Sequence, residues 1–255
     1  MIDLPTPKLS DVTAITMSSS DLDRSLEYYQ KLGFSKVAGH DFPFRWIQIS
    51  DGALLIMLKL SNDTYSALTF YVKEIERVVE ELETDGLVFL EKAAANDYIK
   101  RYLLRSPDGY TVSLITYVED FKQPPGPTML TMEQSDYFDP EKYVNKSCGM
   151  YGEYAQPVAD LDVSIAWWGK LGLSIISRFT APYPWAILSD GLAIVGLHQT
   201  THFTQPRITF FASDMKEKIL KLKQDGLKDF TESGDGNITL HTPEDQYINL
   251  FRMGM

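Results

Sequence analysis

Imidazole and thiol groups, which carry much of enzyme chemistry, are scarce in this sequence. The 255 residues include one cysteine, Cys148, and four histidines: His40, His198, His202 and His241. Cys148 stands in a polar stretch with no histidine nearby, so we interpret it as an incidental thiol and not as a nucleophile. Four scattered histidines also limit any mechanism built on a histidine-rich metal centre.

His198 is the histidine best placed to serve a site. It ends the apolar run LAIVGLHQT, in which the alternation of a strand puts Ile194, Gly196 and His198 on one face. A surface position, or a hydrogen-bonded role without chemistry, is the alternative. We expect His202 to be solvated, and His40 and His241 to lie in loops or at strand ends.

The charge balance limits the partners. There are 35 acidic and 24 basic residues, which gives a net charge of −11. Nucleic acid and anionic membranes need a basic face, so neither is expected as the main partner. A small ligand that is cationic or neutral is favoured over an anionic one, although local charge at a cleft matters more. The sequence also lacks the phosphate-binding G-x-x-x-x-G-K-S/T, the dinucleotide G-x-G-x-x-G, the G-x-S-x-G elbow and H-E-x-x-H.

Composition and targeting signals indicate a protein of the cytoplasm. With 44% hydrophobic and 23% charged residues, the composition is that of a globular chain. There is no apolar run of 18 residues, and the N-terminal stretch MIDLPTPKLSDV has no apolar segment typical of a secretory signal. The single cysteine fits a reducing compartment.

The sequence segments that must position these residues occur twice in the chain. SSDLDRSLEYYQKLGF (19–34) matches VADLDVSIAWWGKLGL (158–173), and PFRWIQISDG matches PYPWAILSDG. Matched residues lie 139 apart, as in the pairs Asp21 and Asp160, Gly33 and Gly172, Trp46 and Trp185, and Gly52 and Gly191. LTFYVKE (68–74) matches ITFFASD (208–214) at a spacing of 140. A spacing kept over most of two segments indicates an internal duplication.

Each repeat divides again into two modules. Asp21 is a suitable helix N-cap, Leu22, Leu26 and Tyr29 form one helical face, and Gly33 can end the helix. Short apolar runs separated by Pro and Asp-Gly turns follow as strands. The order β-α-β-β-β occurs four times, with modules beginning near residues 12, 66, 151 and 206. We therefore predict an α+β fold with a first domain at 1–120, a linker at 121–147 that contains KQPPGP, and a second domain at 148–255.

Four such modules, with D-L-x-x-S at the helix start and the ending RSPDGYTVSLI, resemble the vicinal oxygen chelate superfamily. This superfamily includes glyoxalase I, the bleomycin-resistance proteins and the extradiol dioxygenases. The resemblance covers both repeats and implies four modules paired into two tandem glyoxalase-like domains. In each domain a curved mixed sheet forms a cleft, and any metal is held by inward-facing strand residues.

The resemblance implies metal ligands at three positions of a domain. In the first repeat these positions hold Ala14, Ala67 and Ser113, which cannot form the site. In the second repeat they hold Glu153, Arg207 and Asn249. A guanidinium stays protonated and repels a divalent cation, so we expect Arg207 to pair with Glu153 as a fixed positive charge in place of the metal. The alternative is that these are ordinary strand residues.

Further candidates follow from the same resemblance. If its strand face lines the cleft, His198 can approach Glu153, and the two would act catalytically as an acid–base pair or as metal ligands. In this superfamily the middle strands form the cleft wall, so Trp46, Tyr183 and Trp185 are expected to bind a flat or apolar ligand, with a role as core aromatics the alternative. Arg101 is the candidate of the first repeat for an anionic group, with a solvated strand face the alternative.

Three functions remain open at this stage. The first is a metal-free protein that binds a small organic molecule, as the bleomycin-resistance proteins do by sequestration, with no cofactor. The second is a lyase, isomerase or dioxygenase with a divalent metal in the second domain. The third is a structural domain with vestigial clefts, which large apolar residues turned inward would favour. Because one chain holds both domains, a monomer is sufficient, and a homodimer is the alternative.

Overall fold

The computed structural model of the chain describes residues 4–42, 44–94, 96–117 and 121–254. The first repeat contains β1 (Val12–Ser19), α1 (Leu22–Lys31), β2 (Ser35–His40), β3 (Trp46–Ser50), β4 (Leu55–Leu60), β5 (Ser66–Val72), α2 (Ile75–Thr84), β6 (Phe89–Glu91), β7 (Arg101–Arg105) and β8 (Thr111–Thr116). The second contains β9 (Met150–Pro157), α3 (Leu161–Lys170), β10 (Ser174–Phe179), β11 (Trp185–Ser189), β12 (Ile194–His198), β13 (Arg207–Ala212), α4 (Met215–Gln224), β14 (Phe230–Glu232), β15 (Ile238–His241) and β16 (Tyr247–Arg252). Two short 3₁₀ helices, Gln134–Asp136 and Pro140–Lys142, lie between the repeats.

Each repeat forms one mixed sheet of eight strands. The strand orders are β2-β3-β4-β1-β5-β8-β7-β6 and β10-β11-β12-β9-β13-β16-β15-β14. The first strands of the two modules of a repeat pair antiparallel at the centre, and the last strand of each module pairs parallel with its first. The predicted α+β fold of four β-α-β-β-β modules in two tandem domains is confirmed.

The helix ends follow the sequence signals. The Asp21 carboxylate accepts hydrogen bonds from the backbone N–H groups of Asp23 and Arg24, and Asp160 caps α3 in the same way. Gly33 has a φ of 86°, in the left-handed region where a side chain is strained. Leu22, Ser25 and Tyr29 are the buried residues of α1, which fixes its orientation on the sheet. These contacts therefore set the path of the chain into the second strand of the module.

A single buried core connects the two repeats. The main hydrophobic cluster contains residues of both sheets and of all four helices in the described part of the chain. Phe34 of the first repeat meets Phe210 of the second edge to face, with ring centroids 6.3 Å apart. The helix-bearing faces of the two sheets thus share this core, whereas Ala14 and Tyr71, on the opposite, concave face of the first sheet, belong to a separate cluster.

The repeats also exchange two matching polar contacts. Ser25 of α1 donates a hydrogen bond to Glu244 in the turn after β15, and Tyr29 donates to the same carboxylate at 3.1 Å. In the other direction, Ser164 of α3 donates to Asp108 in the turn after β7, at 2.6 Å. We call Ser25–Glu244 and Ser164–Asp108 the cross-repeat contacts. Burial, followed by the nearby Glu244 charge, raises the pKa of Tyr29 well above its usual value.

No helix in the described ranges is both long enough and apolar enough to cross a membrane.

Candidate functional site

The second cleft, which is the concave face of the second sheet, holds the three residues that the resemblance places at metal-ligand positions. Glu153 lies on β9, Arg207 on β13 and Asn249 on β16. In the strand register, Glu153 is opposite Thr209, and Thr209 is beside Asn249. Arg207 is opposite Ala155, so it lies diagonally from Glu153 across the antiparallel pair. The central strands therefore bring a carboxylate, a guanidinium and an amide onto one face of the second sheet.

Glu153 and His198 form a buried pair in this cleft. His198 Nε2 lies 3.1 Å from Glu153 Oε1, and the two residues are only 9% and 6% exposed. Their neighbour Gly196 makes room for the carboxylate, because a Cβ at this position would lie 1.7 Å from Glu153 Oε2. The structure thus brings together the two residues named as catalytic from the sequence. Their catalytic role stays a prediction.

Aromatic rings surround His198. The indole of Trp185 stacks parallel to the imidazole, with centroids 5.5 Å apart, and Phe179 stacks on Trp185 at 4.2 Å. The Tyr183 hydroxyl lies 3.4 Å from His198 Nδ1, and the Phe203 ring approaches the imidazole edge to face at 5.6 Å. Tyr183 and Trp185, both proposed from the sequence as ligand-binding residues, therefore lie at one site with the Glu153–His198 pair.

Arg207 is held by aromatic rings and neutral oxygens. Its guanidinium carbon lies 4.8 Å from the centre of the Phe203 ring and 5.3 Å from that of Tyr247. Its Nη1 is 3.5 Å from the side-chain oxygens of Thr239 and Asn249, at the limit of a hydrogen bond. Burial lowers the pKa of Arg207, against smaller opposing effects of Tyr247 and Tyr183.

The ion pair that we expected between Arg207 and Glu153 does not form. Neither residue has the other within 4.0 Å, although both lie in the described part of the chain. The reason is the strand register: Arg207 is a diagonal neighbour of Glu153, whereas His198 reaches the carboxylate from β12. Arg207 therefore retains its positive charge without a protein counter-ion among the described residues.

Asn249 belongs to a short polar row on the floor of the second cleft. Its Oδ1 accepts from Thr239 at 2.9 Å, and its Nδ2 donates to Thr209 at 3.3 Å. Asn249 and Thr209 are buried, and each uses its polar atoms within this row. Asn249 thus helps to position the residues around Arg207 and lies at the edge of the charged part of the cleft.

The first cleft, which is the concave face of the first sheet, is filled by the chain itself. Phe121 inserts among Val12, Ala14, Leu55 and Tyr71, and it is 7% exposed. Its ring is 4.8 Å from Tyr71 and 5.7 Å from Trp46. Trp46, the counterpart of Trp185, thus contacts a phenyl ring of its own chain.

The other candidate residues of the first repeat do not form a charged pair in the first cleft. Ala14 and Ala67 leave the two central strands apolar at the ligand positions, and Ser113 supplies one hydroxyl. Arg101 pairs with Glu91 at 2.6 Å, with both side chains partly exposed. Cys148 is buried, and burial raises the pKa of its thiol, which agrees with its interpretation as an incidental residue.

Sequence reasoning placed Gly196 on the face of His198 without giving it a role, and it missed Phe203 and Phe121. For Gly196 the sequence does hold a signal, because the 139-residue spacing places Met57 at its position in the first repeat. The first repeat thus combines Ala14 with a large Met57, and the second combines a large Glu153 with a glycine. Phe203 and Phe121 lie in loops outside the matched segments, so no sequence pattern points to them.

The donor set of the second cleft does not fit the divalent metal that the superfamily implies. Arg207 stands where the resemblance implies a ligand, and a guanidinium has no lone pair to offer. In the portion of the chain that is described, no group of three or more His, Cys, Asp or Glu side chains could hold a metal ion. Glu153 and His198 are two suitable donors, which is fewer than the four to six that a divalent metal takes.

An open cavity of about 890 Å³ borders this site. Tyr183 and Phe203, which both contact His198, form part of its wall, and Asp108 and Tyr110 of the first repeat form another part. Burial raises the pKa of Tyr110 to about 12, and its hydroxyl donates to the carbonyl of Pro157. The cavity therefore lies beside two of the aromatic rings that contact His198.

Comparison with known proteins gives a fold assignment. No protein-family model and no curated protein sequence matches the chain. Among solved structures, homoprotocatechuate 2,3-dioxygenase from Arthrobacter globiformis is similar with a TM-score of 0.60 and 13% identity, over 98% of this chain and 82% of that one. The Mn(II)-bound glyoxalase from Novosphingobium aromaticivorans gives a TM-score of 0.59 and 12% identity, over 96% and 82%.

A third structure agrees with these two. The 2,2',3-trihydroxybiphenyl 1,2-dioxygenase from Sphingomonas wittichii strain RW1 has a TM-score of 0.59 and 14% identity, over 97% of this chain and 92% of that one. At such identities the similarity establishes the fold and leaves the activity open. The chain therefore has the two-domain fold that these two extradiol dioxygenases share with the glyoxalase.

Proposed function

We propose that the second cleft binds a small organic molecule with a flat aromatic part, without the usual metal. One observation carries this proposal: a buried Glu153–His198 pair and the cation of Arg207 share a cleft enclosed by aromatic rings. Apolar walls with a few fixed polar groups are typical of small-molecule sites. The first cleft offers no comparable charged site, because Ala14 and Ala67 stand at the positions of Glu153 and Arg207 and Phe121 packs against Trp46.

The aromatic rings favour a flat ligand. Trp185, Tyr183, Phe203 and Tyr247 provide rings around His198 and Arg207. Ring contacts of this kind contribute roughly 0.5–1.5 kcal/mol each beyond the burial of apolar area. A flat molecule that lies among them gains both terms, whereas a branched aliphatic molecule of similar volume gains only the second.

The alternative is a metal-dependent lyase, isomerase or dioxygenase with one surviving site. The approach of His198 to Glu153 at 3.1 Å favours it, since the two are potential ligands. Divalent metals take about four to six donors, and with Asn249 this cleft offers three. Water or substrate would have to supply the others, so the geometry favours metal-free binding.

Metal analysis separates the two functions. Protein purified without a chelator should contain no stoichiometric transition metal, and Zn²⁺, Mn²⁺, Ni²⁺ and Fe²⁺ should leave the thermal midpoint unchanged. A stoichiometric metal that is lost in the Glu153→Ala variant would exclude metal-free binding as the function.

Ligand binding is tested by fluorescence of the two matched tryptophans. Small flat aromatic compounds should quench the wild type and the Trp46→Phe variant, and they should fail to quench Trp185→Phe. Quenching that depends on Trp46 would place the binding site in the first repeat and would contradict the proposal. Cytoplasmic location and a monomeric state stay predictions, which fractionation and sedimentation can test.

A further inference from the structure

Arg207 differs from every other cation of this chain in its surroundings. Of the 24 lysines and arginines, five others are shielded at least in part from solvent: Lys59, Lys100, Arg101, Lys218 and Lys223. Each of these five has a carboxylate within 4.0 Å. Arg207 is shielded as well, and no carboxylate among the described residues lies within that distance. A partly desolvated charge without a counter-ion is unfavourable unless something else completes it.

The immediate neighbours of Arg207 leave part of its hydrogen-bonding capacity unused. A guanidinium has five N–H donors. Nη1 is directed at two neutral oxygens, those of Thr239 and Asn249, at 3.5 Å each. Nε is buried and has no hydrogen-bond partner among the described residues. The rings of Phe203 and Tyr247 lie against the guanidinium and attract the charge without accepting its protons.

We propose that Arg207 binds the carboxylate of the ligand and that the ligand is a planar aromatic monocarboxylate. This inference rests on the proposed function, since it names the chemical class of the molecule that the second cleft binds. The guanidinium matches the planar geometry of a carboxylate, and the ring of such an acid lies among Tyr183, Trp185 and Phe203. The resemblance implies a metal ligand at this position, and in this chain the position is occupied by a cationic side chain.

Glu153 restricts the ligand to a single negative charge. Diagonal neighbours on an antiparallel pair lie roughly 7–8 Å apart, so the Glu153 carboxylate is close to any group bound at Arg207. Its Oε1 is paired with His198, and its Oε2 has no partner among the described residues. A second anionic group on the ligand would meet this carboxylate in a partly dry cleft and would be repelled.

The net charge of −11 does not oppose this inference. Salt screens charges that are separated by more than about 8 Å at physiological ionic strength. An anion that reaches the second cleft therefore responds to the charges that line it, which are Arg207 and the Glu153–His198 pair. The preference for cationic or neutral ligands that the sequence indicates is thus replaced by the local charge of the site.

The test compares an acid with its own amide. Naphthoate and naphthamide have the same ring and differ in charge, and quenching of Trp185 in the Trp46→Phe variant reports their binding. Naphthoate should bind about ten- to a hundredfold more tightly than naphthamide, the range of one charge-assisted contact, and added salt should weaken the acid alone. Naphthalene dicarboxylate should bind more weakly than naphthoate.

Variants then assign the effect to Arg207. Arg207→Gln should remove the preference for the acid, and Arg207→Lys should retain part of it, because it keeps the charge without the planar donors. Arg105→Gln, at an exposed arginine on β7 of the first repeat, is the control and should leave both affinities unchanged. Thermal midpoints without ligand show that each variant is folded.

The outcomes distinguish this inference from the proposed function. If naphthamide binds as tightly as naphthoate and Arg207→Gln alters neither affinity, the anion site is refuted and aromatic binding stands. If naphthamide, or the corresponding cationic amine, binds more tightly than naphthoate, the anion site is also refuted. If none of these compounds quenches Trp185, both the inference and the proposed function are refuted for flat ligands of this size.

Discussion

The substitution Gly196→Ala tests whether this glycine exists to accommodate Glu153. The added Cβ would lie 1.7 Å from Glu153 Oε2 and 2.9 Å from His198 Nε2, distances that the side chains cannot keep. Gly196 is not one of the described glycines that have a positive φ, so alanine can adopt its backbone conformation. The clash is with the end of a flexible side chain, and we expect the carboxylate to swing away while the strand stays in place.

The expected free energy change is a balance of two effects. Alanine at a compatible backbone position stabilises by about 0.4–1 kcal/mol, because the unfolded chain loses freedom. Loss of the buried Glu153–His198 contact costs about 1.5–3 kcal/mol, the usual range for hydrogen bonds to charged groups. The net expectation is therefore a decrease of about 1–2 kcal/mol in the free energy of unfolding.

A double-mutant cycle isolates the contact. In the Glu153→Ala background there is no carboxylate to displace, so Gly196→Ala should become neutral or stabilising. The coupling energy should equal the value of the lost contact, about 1.5–3 kcal/mol. Gly169 is the matched control, because a Cβ there meets no atom within 4 Å, and Gly169→Ala should have the same effect in both backgrounds.

Urea unfolding followed by circular dichroism provides the measurement. The two repeats share one buried core, so we expect a single transition that gives the free energy of unfolding directly. If Gly196→Ala has the same effect with and without Glu153, then Gly196 has no role in positioning the carboxylate. In that case the two differences between the repeats, glycine in place of Met57 and glutamate in place of Ala14, are not linked by a need for space.

Three further predictions concern the rest of the molecule. Ser25→Ala and Ser164→Ala each remove a donor from a carboxylate of the other repeat and should lower the free energy of unfolding by about 1–3 kcal/mol; unchanged urea midpoints would contradict the cross-repeat contacts. Phe121→Ala should lower the free energy of unfolding by about 3–5 kcal/mol and open the first cleft, so that naphthamide quenches the fluorescence of Trp46. If naphthamide does not quench Trp46 in this variant, the neighbouring side chains have closed the space. Burial raises the pKa of Asp190, so its contribution to stability is complete below the unfolded value of about 3.9 and is lost as the pH rises through the folded value. A carbon NMR titration should give a midpoint above that unfolded value, and a lower midpoint would refute the assignment.

The fold could be predicted from local signals because each one has a local physical cause. Asp21 caps its helix with its own side chain, and Gly33 ends it through its own backbone conformation. Neither feature depends on the rest of the chain, so both are visible in sixteen residues of sequence. The spacing of 139 residues then shows that the same elements are built twice.

The site could be predicted only in part, because its contacts depend on three-dimensional register. The sequence places Glu153 on a cleft-facing strand, but it does not show that His198 reaches it before Arg207 does. That outcome follows from the diagonal offset of Arg207 and from the space left by Gly196. Phe121 and Phe203 enter the clefts from loops, where no periodicity reports the direction of a side chain.

The two faces of each sheet explain which matched residues the repeats share. On the helix-bearing side, Ser25 and Ser164 each contact an acidic residue of the other repeat, so a change in one repeat alters the contact that holds both. On the concave side, the hydrogen-bond partner of Glu153 is His198, and its carboxylate lies over Gly196, so both neighbours belong to its own repeat. A change of Glu153 or His198 therefore alters a contact within one repeat and leaves the cross-repeat contacts in place. Divergence of the two clefts, with one filled by Phe121 and the other lined with charge, is the expected result of this arrangement.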